Sequence, residues 1–352
     1  MAFGAARWTY NKCLERIIKA ECKVNVKDLR KLCVNNANIN DKWLLDTPYD
    51  VRDEALRDLY KSYQVDFKSG KAFKKQFRSK KDGFQTIVIH KKHWNHKKGW
   101  YGALKTGLKS AEPLPKTLYT DSRLQMTSLN EFFLVIQTPP QYDNQVREDI
   151  VALDPGVRTF QTCYSPSGKV TEWGNGDMKN VMRLLKAHDK LQSLCTKVNH
   201  SKRYKLQKAM KRILKRVRNR IDDIHRKCIK WLLDNHGLIL IPVFGVKKMA
   251  SSKCLQKGTR RALYAWSHFL FRQRLLDKAK SYQKARVLVV DESYTSRTCT
   301  RCGCVNSKYS SKSFLCAKCG LDLDRDINGS RNVLLKFLTE QGLTASALWP
   351  TT

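Results

Sequence analysis

Three acidic residues stand where carboxylates could gather around hard cations: Asp154 in IVALDPGV, Glu292 in VLVVDESYTS and Asp326 in LDLDRDINGS. Together they could support phosphodiester hydrolysis. That reaction uses two Mg²⁺ ions about 3.5–4 Å apart to stabilise the attacking and leaving oxygens, and it needs several carboxylates delivered by separate elements. Asp154 closes an apolar run and precedes Pro155-Gly156, which places its carboxylate at a strand's end, although aspartate is also ordinary turn chemistry. Asp326 lies just before NGSRNVLLKFL and reads either as a helix cap or as a second cation ligand. The run Asp324, Asp326, Asn328, Gly329 is not a calcium-binding EF-hand loop, because its twelfth position is Leu335 rather than a bidentate glutamate.

Between Glu292 and Asp326 lie two knuckles, CTRC at 299–302 and CAKC at 316–319, with thirteen residues between them. Two-residue spacing lets a backbone turn set paired thiolates on one face of a tetrahedron, so Cys299, Cys302, Cys316 and Cys319 are the expected ligands of one Zn²⁺. Four sulfurs leave no open coordination position, which makes the site structural rather than catalytic. Cys304 is a fifth thiol nearby, but the Cys-x-Cys spacing argues against it as a ligand.

Charge narrows the class of partner. The 352 residues hold 68 Lys plus Arg against 31 Asp plus Glu, a formal net charge of +37. That exceeds what solubility requires and points to a polyphosphate. There is no apolar run long enough to span a bilayer; LILIPVFGV from Leu238 has the length of a buried strand. The start, MAFGAARWTYNKC, lacks a continuous apolar signal core, and the twelve cysteines are not spaced as a secreted disulfide framework. The expectation is a protein that is not secreted and works in a reducing compartment, cytosol or nucleus.

The elements that must position these residues fall into two halves. Residues 1–70 read as helical, from the spacing of Trp8, Tyr10, Cys13, Leu14, Ile17 and Ile18 and, after TPYD, of Val51, Ala55, Leu56, Leu59 and Tyr60, with Asp50 as the expected N-cap. Residues 71–147 read as β-rich, with strands at 84–90, 123–129 and 131–138. The stretch 71–109 interleaves Lys and Arg with Phe73, Phe77, Trp94, Trp100 and Tyr101, which suits either a single-stranded nucleic acid platform or a solvated basic face over core aromatics.

A new apolar run begins after PPQYDNQVRED and opens the third region, 148–352. IVALD, FQTCYSP and KVTEWG read as three strands, the last two joined at a Ser-Pro-Ser-Gly turn. A helical hairpin follows to about Asn235, its second arm striped by Leu214, Val217, Ile221, Ile224, Cys228 and Trp231. Segment 201–220 carries ten Lys and Arg and no acid, which suits a phosphate-lined channel. HGLILIPVF is a fourth strand, 260–280 a helix and ARVLVVDE a fifth strand. Three strands in sequence, then strands alternating with helices, is the order of an RNase H-like α/β core.

DPGVRTF, YTSRTCTRCG with CAKCG, and DRDINGSRN together resemble the split RuvC nuclease and zinc ribbon of the transposon-encoded TnpB proteins, of their Fanzor relatives and of the type V CRISPR nucleases. GAARWTYNKCL and FRSKKDGFQTIVI are similar to the recognition and wedge regions, so the resemblance covers nearly the whole chain. It implies an RNase H-like (RuvC) nuclease domain with a zinc ribbon inserted at 296–322, plus an N-terminal mixed helical and β-barrel-like recognition and wedge lobe. It also implies an RNA-guided DNA endonuclease with two Mg²⁺ and one Zn²⁺, whose partners are a guide RNA and target double-stranded DNA, acting as a monomer or dimer without a membrane. The compartment would be the nucleus for a eukaryotic or eukaryotic-virus source and the cytoplasm otherwise.

Asp154 matches the first RuvC aspartate and Asp326 the last. Two departures stand out. Met1 falls almost on the GAAR-type segment, where the family usually begins further upstream, and strand four ends in Ile241-Pro242-Val243 where bacterial members have Glu-Asp. Fanzor-like relatives often carry that glutamate just before the ribbon, where Glu292 stands. Successive residues of a strand face opposite ways, so of Asp291 and Glu292 the longer is expected at the metals, while Asp291 meets solvent or caps the turn into the ribbon. The competing expectations are a catalytically inactive nucleic-acid-binding relative and a conventional transposase acting without RNA.

Overall fold

A computed structural model describes residues 1–35, 39–70, 74–95, 110–251, 255–291, 293–306 and 312–342. The chain divides into two compact units, Met1–Pro139 and Pro140–Thr352.

In the first unit, helices α1 (Ala2–Ile18), α2 (Val26–Arg30) and α3 (Tyr49–Ser69) accompany an antiparallel sheet of β1 (Phe84–Ile89), β2 (Ser122–Thr127) and β3 (Phe132–Val135), in the order β1-β2-β3. The helical periodicity buries Tyr10, Cys13 and Leu14 of α1 and Val51, Leu56 and Leu59 of α3 with Ile87, Ile89 and Leu124 of the sheet. Ile18, at the end of the stripe, is exposed instead. Asp50 is not the cap of α3. The helix starts one residue earlier, with Pro48 at the N-cap position, and the Asp50 carboxylate accepts from His93 Nε2 at 2.6 Å and Lys92 Nζ at 3.2 Å.

The second unit is built on five strands in the order β6-β5-β4-β7-β8, with β4 (Ile150–Pro155), β5 (Gln161–Tyr164), β6 (Val170–Trp173), β7 (Leu238–Pro242) and β8 (Arg286–Val290). The first three are antiparallel neighbours, and β4, β7 and β8 run parallel. Strands buried on both faces read as continuous apolar runs, as IVAL and LILI do. The two faces are separate. Val151, Leu153, Ile239 and Ile241 pack against the hairpin of α4 (Asp177–Cys195) and α5 (His200–Asn235) and against Trp266 and Phe271. Ala152 and Leu240 face the other way, onto Val333, Leu334 and Leu338 of α9 (Arg325–Glu340). With a period of two, Asp154 shares the α9 face with Ala152.

The α5 stripe is placed as its spacing implies: Val217, Ile221 and Cys228 are buried, and Leu214, Ile224 and Trp231 pack at the margin. The single helix expected over 260–280 is instead two, α7 (Lys257–Trp266) and α8 (His268–Ala279), broken at Ser267 with φ 53°. The break has a tertiary cause. Trp266 Nε1 donates to the Val157 carbonyl at 2.8 Å, and His225 Nε2 donates to the Trp266 carbonyl at 2.9 Å, which pins the chain where a continuous helix would carry it past. A short helix α6 (Val246–Ser251) precedes α7. Strands β9 (Ser313–Leu315) and β10 (Asp322–Asp324) form a small antiparallel ribbon whose second strand runs straight into α9. Among the described residues no helix is long and apolar enough to cross a membrane.

Candidate active site

Asp154 sits at the carboxyl end of β4, and α9 crosses it closely. A Cβ placed on Gly329 would come within 2.9 Å of Asp154 Cγ and nearer still to Oδ2, so the helix can lie here only because position 329 has no side chain. Asp326 is one turn before Gly329 on the same helix. Its Oδ2 lies 3.9 Å from where a Cβ of Gly156 would be, two residues beyond Asp154. Two glycines on facing elements therefore bring the two carboxylates to one edge of the sheet.

The alternative reading of Asp326 as a helix cap is resolved by its neighbour. Asp324 is the N-cap, accepting from the Asp326 amide at 2.8 Å, while Asp326 lies within the first turn and is only 9% exposed. Burial raises its carboxyl above the ordinary aspartate range, a shift opposed by the nearby Arg325 and Arg158 guanidinium groups. Arg158 Nη2 stands 3.5 Å from Asp326 Oδ2.

Glu292 lies outside the described residues. The residues before it are placed: Pro242 pairs with Val290, and the Ala152–Leu240 pairing extends along the same direction toward Asp154 and Pro242. Asp291 is exposed, accepts from Ser293 Oγ at 2.9 Å and pairs with Lys336 of α9. The Lys336 ammonium holds the Asp291 carboxyl below the usual range.

The edge opens into a cleft of about 760 Å³. Asp324, Asp326 and Glu172 line it together with Arg158, Lys179 and Arg183. Anionic groups for cations thus adjoin cationic groups for phosphates. The turn after Asp154 is held from inside by Gly156 N donating to the Phe160 carbonyl at 3.3 Å and by the Trp266–Val157 bond. The basic residues of segment 201–220 lie along α5, most of them exposed. Of the expected aromatic platform, Phe73, Trp100 and Tyr101 fall outside the described residues. Phe77 is exposed, and Trp94 packs on the first unit's core with Nε1 donating to the Pro115 carbonyl at 3.1 Å.

The four expected cysteines converge. Their sulfurs lie within 4.8 Å of one another, the only cluster of three or more metal-binding groups among the described residues, and it excludes Cys304. Cys299 and Cys319, and Cys302 and Cys316, are 3.6 Å apart, close to the ~3.8 Å edge of a tetrahedron with ~2.3 Å zinc–sulfur bonds. Arg301 N points at Cys299 Sγ at 3.4 Å, and amide donors led by that of Cys319 pull the Cys316 thiol down to about 6. The donor set and its geometry fit zinc.

Two residues that spacing alone did not single out join this centre to the acidic edge. Asn328 Nδ2 donates to the Thr298 carbonyl at 2.9 Å and its Oδ1 accepts from Thr300 N at 3.3 Å. Asn332 Nδ2 donates to the carbonyls of Thr295 and Thr298 at 2.7 and 2.6 Å. The available signal was their i, i+4 spacing, which stacks two amides on one helix face directly after Asp326.

Residues 268–333 match the family described as Cas12f1-like, TNB domain. The "Putative transposase A625R" of Paramecium bursaria Chlorella virus 1 is 27% identical over 375 residues, covering 96% of this chain and 83% of that protein. The "Putative RNA-guided DNA endonuclease InsQ" of Escherichia coli is 25% identical over 319 residues, covering 83% and 75%. The "TnpB-like protein L770" of Acanthamoeba polyphaga mimivirus is 26% identical over 234 residues, and there the chain spans 45% of the relative's length. In fold, the chain is similar to the protein of a Cas12f1-sgRNA-target DNA complex, with a TM-score of 0.51 at 16% identity, covering 94% of this chain and 81% of that one. A match across the ribbon, similarity over most of the chain to a viral and a bacterial relative and a similar fold agree with one another. The chain is thus similar to TnpB-like proteins and to a putative RNA-guided DNA endonuclease in sequence, and to a Cas12f1 protein in fold.

Proposed function

We propose that this protein is an RNA-guided, Mg²⁺-dependent DNA endonuclease of a transposable element, cutting through a RuvC-type site formed by Asp154, Glu292 and Asp326. The observation that carries the proposal is the meeting of Asp154 and Asp326 across Gly329 and Gly156, beside a cleft that also carries cationic groups. The sheet order β6-β5-β4-β7-β8 supports an RNase H-like core, and the printed name of InsQ supports RNA guidance. Pro242, which cannot bind a cation, occupies the end of β7, so the middle carboxylate is assigned to Glu292, the Fanzor-like position two residues beyond Val290.

Bound Mg²⁺ would supply charge neutralisation at the attacking and leaving oxygens of an in-line displacement. The residues of the chain do the positioning. Asp154, on a rigid central strand, and Asp326, in the first turn of a capped helix, present hard oxygen donors from two independent elements. Arg158 balances the Asp326 carboxylate and lines the cleft, where it would meet a phosphate oxygen. Lys179 and Arg183 hold the backbone of the strand to be cut, and sequence choice falls to guide pairing.

The test is purification with its RNA, followed by cleavage of DNA matching that RNA in Mg²⁺. Asp154→Ala and Glu292→Gln are expected to abolish cleavage while preserving RNA and DNA binding, and Asp291→Asn to have a mild effect. Full cleavage by Glu292→Gln, or loss only with Asp291→Asn, overturns the assignment. A catalytically inactive binding relative is the second reading, favoured by Pro242 at the end of β7. It predicts copurified RNA without metal-dependent cleavage. Cleavage without any bound RNA would indicate a transposase.

A further inference from the structure

A second cleft, of about 900 Å³, lies at the end of β7 and shares no lining residue with the acidic one. It begins at Val243, whose amide donates to the Val290 carbonyl at 3.2 Å, so it continues from the sheet edge that carries Asp154. Its walls are α6 and the broken α7–α8 pair. Large apolar groups face solvent there: Tyr264 is 59% exposed and Phe269 63%, with Leu270 beside them. Lys247, Lys248 and Arg272 also line it, and no acidic residue does among those described. The Arg272 guanidinium lies 5.6 Å from the centre of the Phe269 ring.

One buried titratable group also lines the same cleft. His268 is 4% exposed, and neither of its ring nitrogens makes a hydrogen bond of good geometry. Its ring stacks on Phe160 at 5.1 Å and meets Phe244 edge-on at 4.6 Å. Burial and the neighbouring His225 push it down to about 3, against the Gly156 backbone, so it is neutral and can donate one bond and accept another. A buried neutral imidazole with at least one nitrogen unsatisfied stands one residue from an exposed aromatic.

We infer that this cleft binds single-stranded nucleic acid, with bases stacked on Tyr264 and Phe269 and phosphates held by Lys247, Lys248 and Arg272. The charge decides the occupant. Three cations without an acid repel a basic second copy of this +37 chain and attract a polyanion, while exposed rings interleaved with cations give the stacking surface that tolerates any base. Its continuity with the Asp154 edge makes it the approach along which the strand to be cut reaches the carboxylates. That role rests on the proposed nuclease reading; the binding itself does not.

The experiment therefore reads binding without cleavage. A short oligothymidylate with one 5-iodouracil, and its oligouridylate counterpart, are bound to the full chain in Ca²⁺ and irradiated, and crosslinked peptides are mapped by mass spectrometry. The expected result is a crosslink within α7–α8, at Tyr264 or Phe269. Each of Tyr264→Ala and Phe269→Ala should weaken binding by roughly five- to a hundredfold and remove its own crosslink, with unchanged thermal unfolding. The Lys247→Gln, Lys248→Gln, Arg272→Gln triple variant should lower the salt slope by about 2. Stronger crosslinking of one probe tells whether the strand is DNA or RNA. Crosslinks that map only to α5 or elsewhere overturn the inference. So does a change of oligomeric state in Phe269→Ala with oligonucleotide binding intact, which would assign the cleft to a second copy. Absence of cleavage by the wild type would overturn the nuclease reading and leave this result standing.

Discussion

At Asp326 burial and use of the carboxylate oppose each other most directly. Burial raises its carboxyl in the folded chain, so the native state holds that proton to higher pH than the unfolded state does. Stability attached to the protonated form is complete at low pH and is lost as pH rises through the raised value. Asp326→Asn, which cannot ionise, should stabilise the protein by about 1 kcal/mol at neutral pH and by almost nothing near pH 3, while cleavage disappears. Thermal unfolding of both proteins across that range checks the sign; a variant less stable than wild type at neutral pH would sink the argument. Gly329 permits a second test. Alanine at an interior helix position ordinarily stabilises by about 1 kcal/mol, but here its Cβ would displace the Asp154 carboxylate. Gly329→Ala should fold as well as wild type and lose at least about tenfold in cleavage, a change of about 1.4 kcal/mol in the barrier. The importance of this glycine is invisible in the sequence, where glycine inside a helix reads only as a weak point.

Among the elements, the ribbon is the part most legible in advance, because two Cys-x-x-Cys knuckles carry their geometry in local spacing. Tetrathiolate binding is coupled to local folding, so Cys299→Ser should reduce zinc from about one ion per chain to near zero. It should also remove hydrogen-exchange protection from β9, β10 and the first turn of α9 while leaving α4 protected. Metal analysis with exchange mass spectrometry reads both outcomes. The strands and the α5 stripe were equally legible, since apolar runs such as IVAL and LILI and a stripe of period 3.6 persist over whole elements. The break at Ser267 was not. Leu263 and Trp266 before it, and Phe271 and Leu275 after it, keep helical spacing, and the step of five between Trp266 and Phe271 is too slight a signal; the bonds of Trp266 to Val157 and His225, far away in sequence, hold the break. The misread cap at Asp50 has the same origin, a histidine 43 residues away.

For the whole molecule, the net charge of +37 sets the affinity regime. With several phosphates neutralised, binding to guide or target should fall by about a thousandfold or more between 50 and 200 mM salt. A flat titration by fluorescence anisotropy would remove the polyphosphate argument. The order of strands could be anticipated because few connections join an antiparallel meander to parallel strands through helices. The convergence of Asp154 with Asp326 was expected from their motifs, but its means was not, since it depends on two glycines lying where the strand and helix cross. The amides of Asn328 and Asn332 have a consequence of their own. They clasp the knuckle loop at 295–300 from the helix that bears Asp326, so the sulfur centre and the carboxylate edge share one mechanical fastening. Coupling between two such sites is reciprocal. Whatever steadies the first turn of α9 should then raise the affinity of the four cysteines for an ion, and the free chelator needed to compete for that ion would report occupancy of the carboxylate edge.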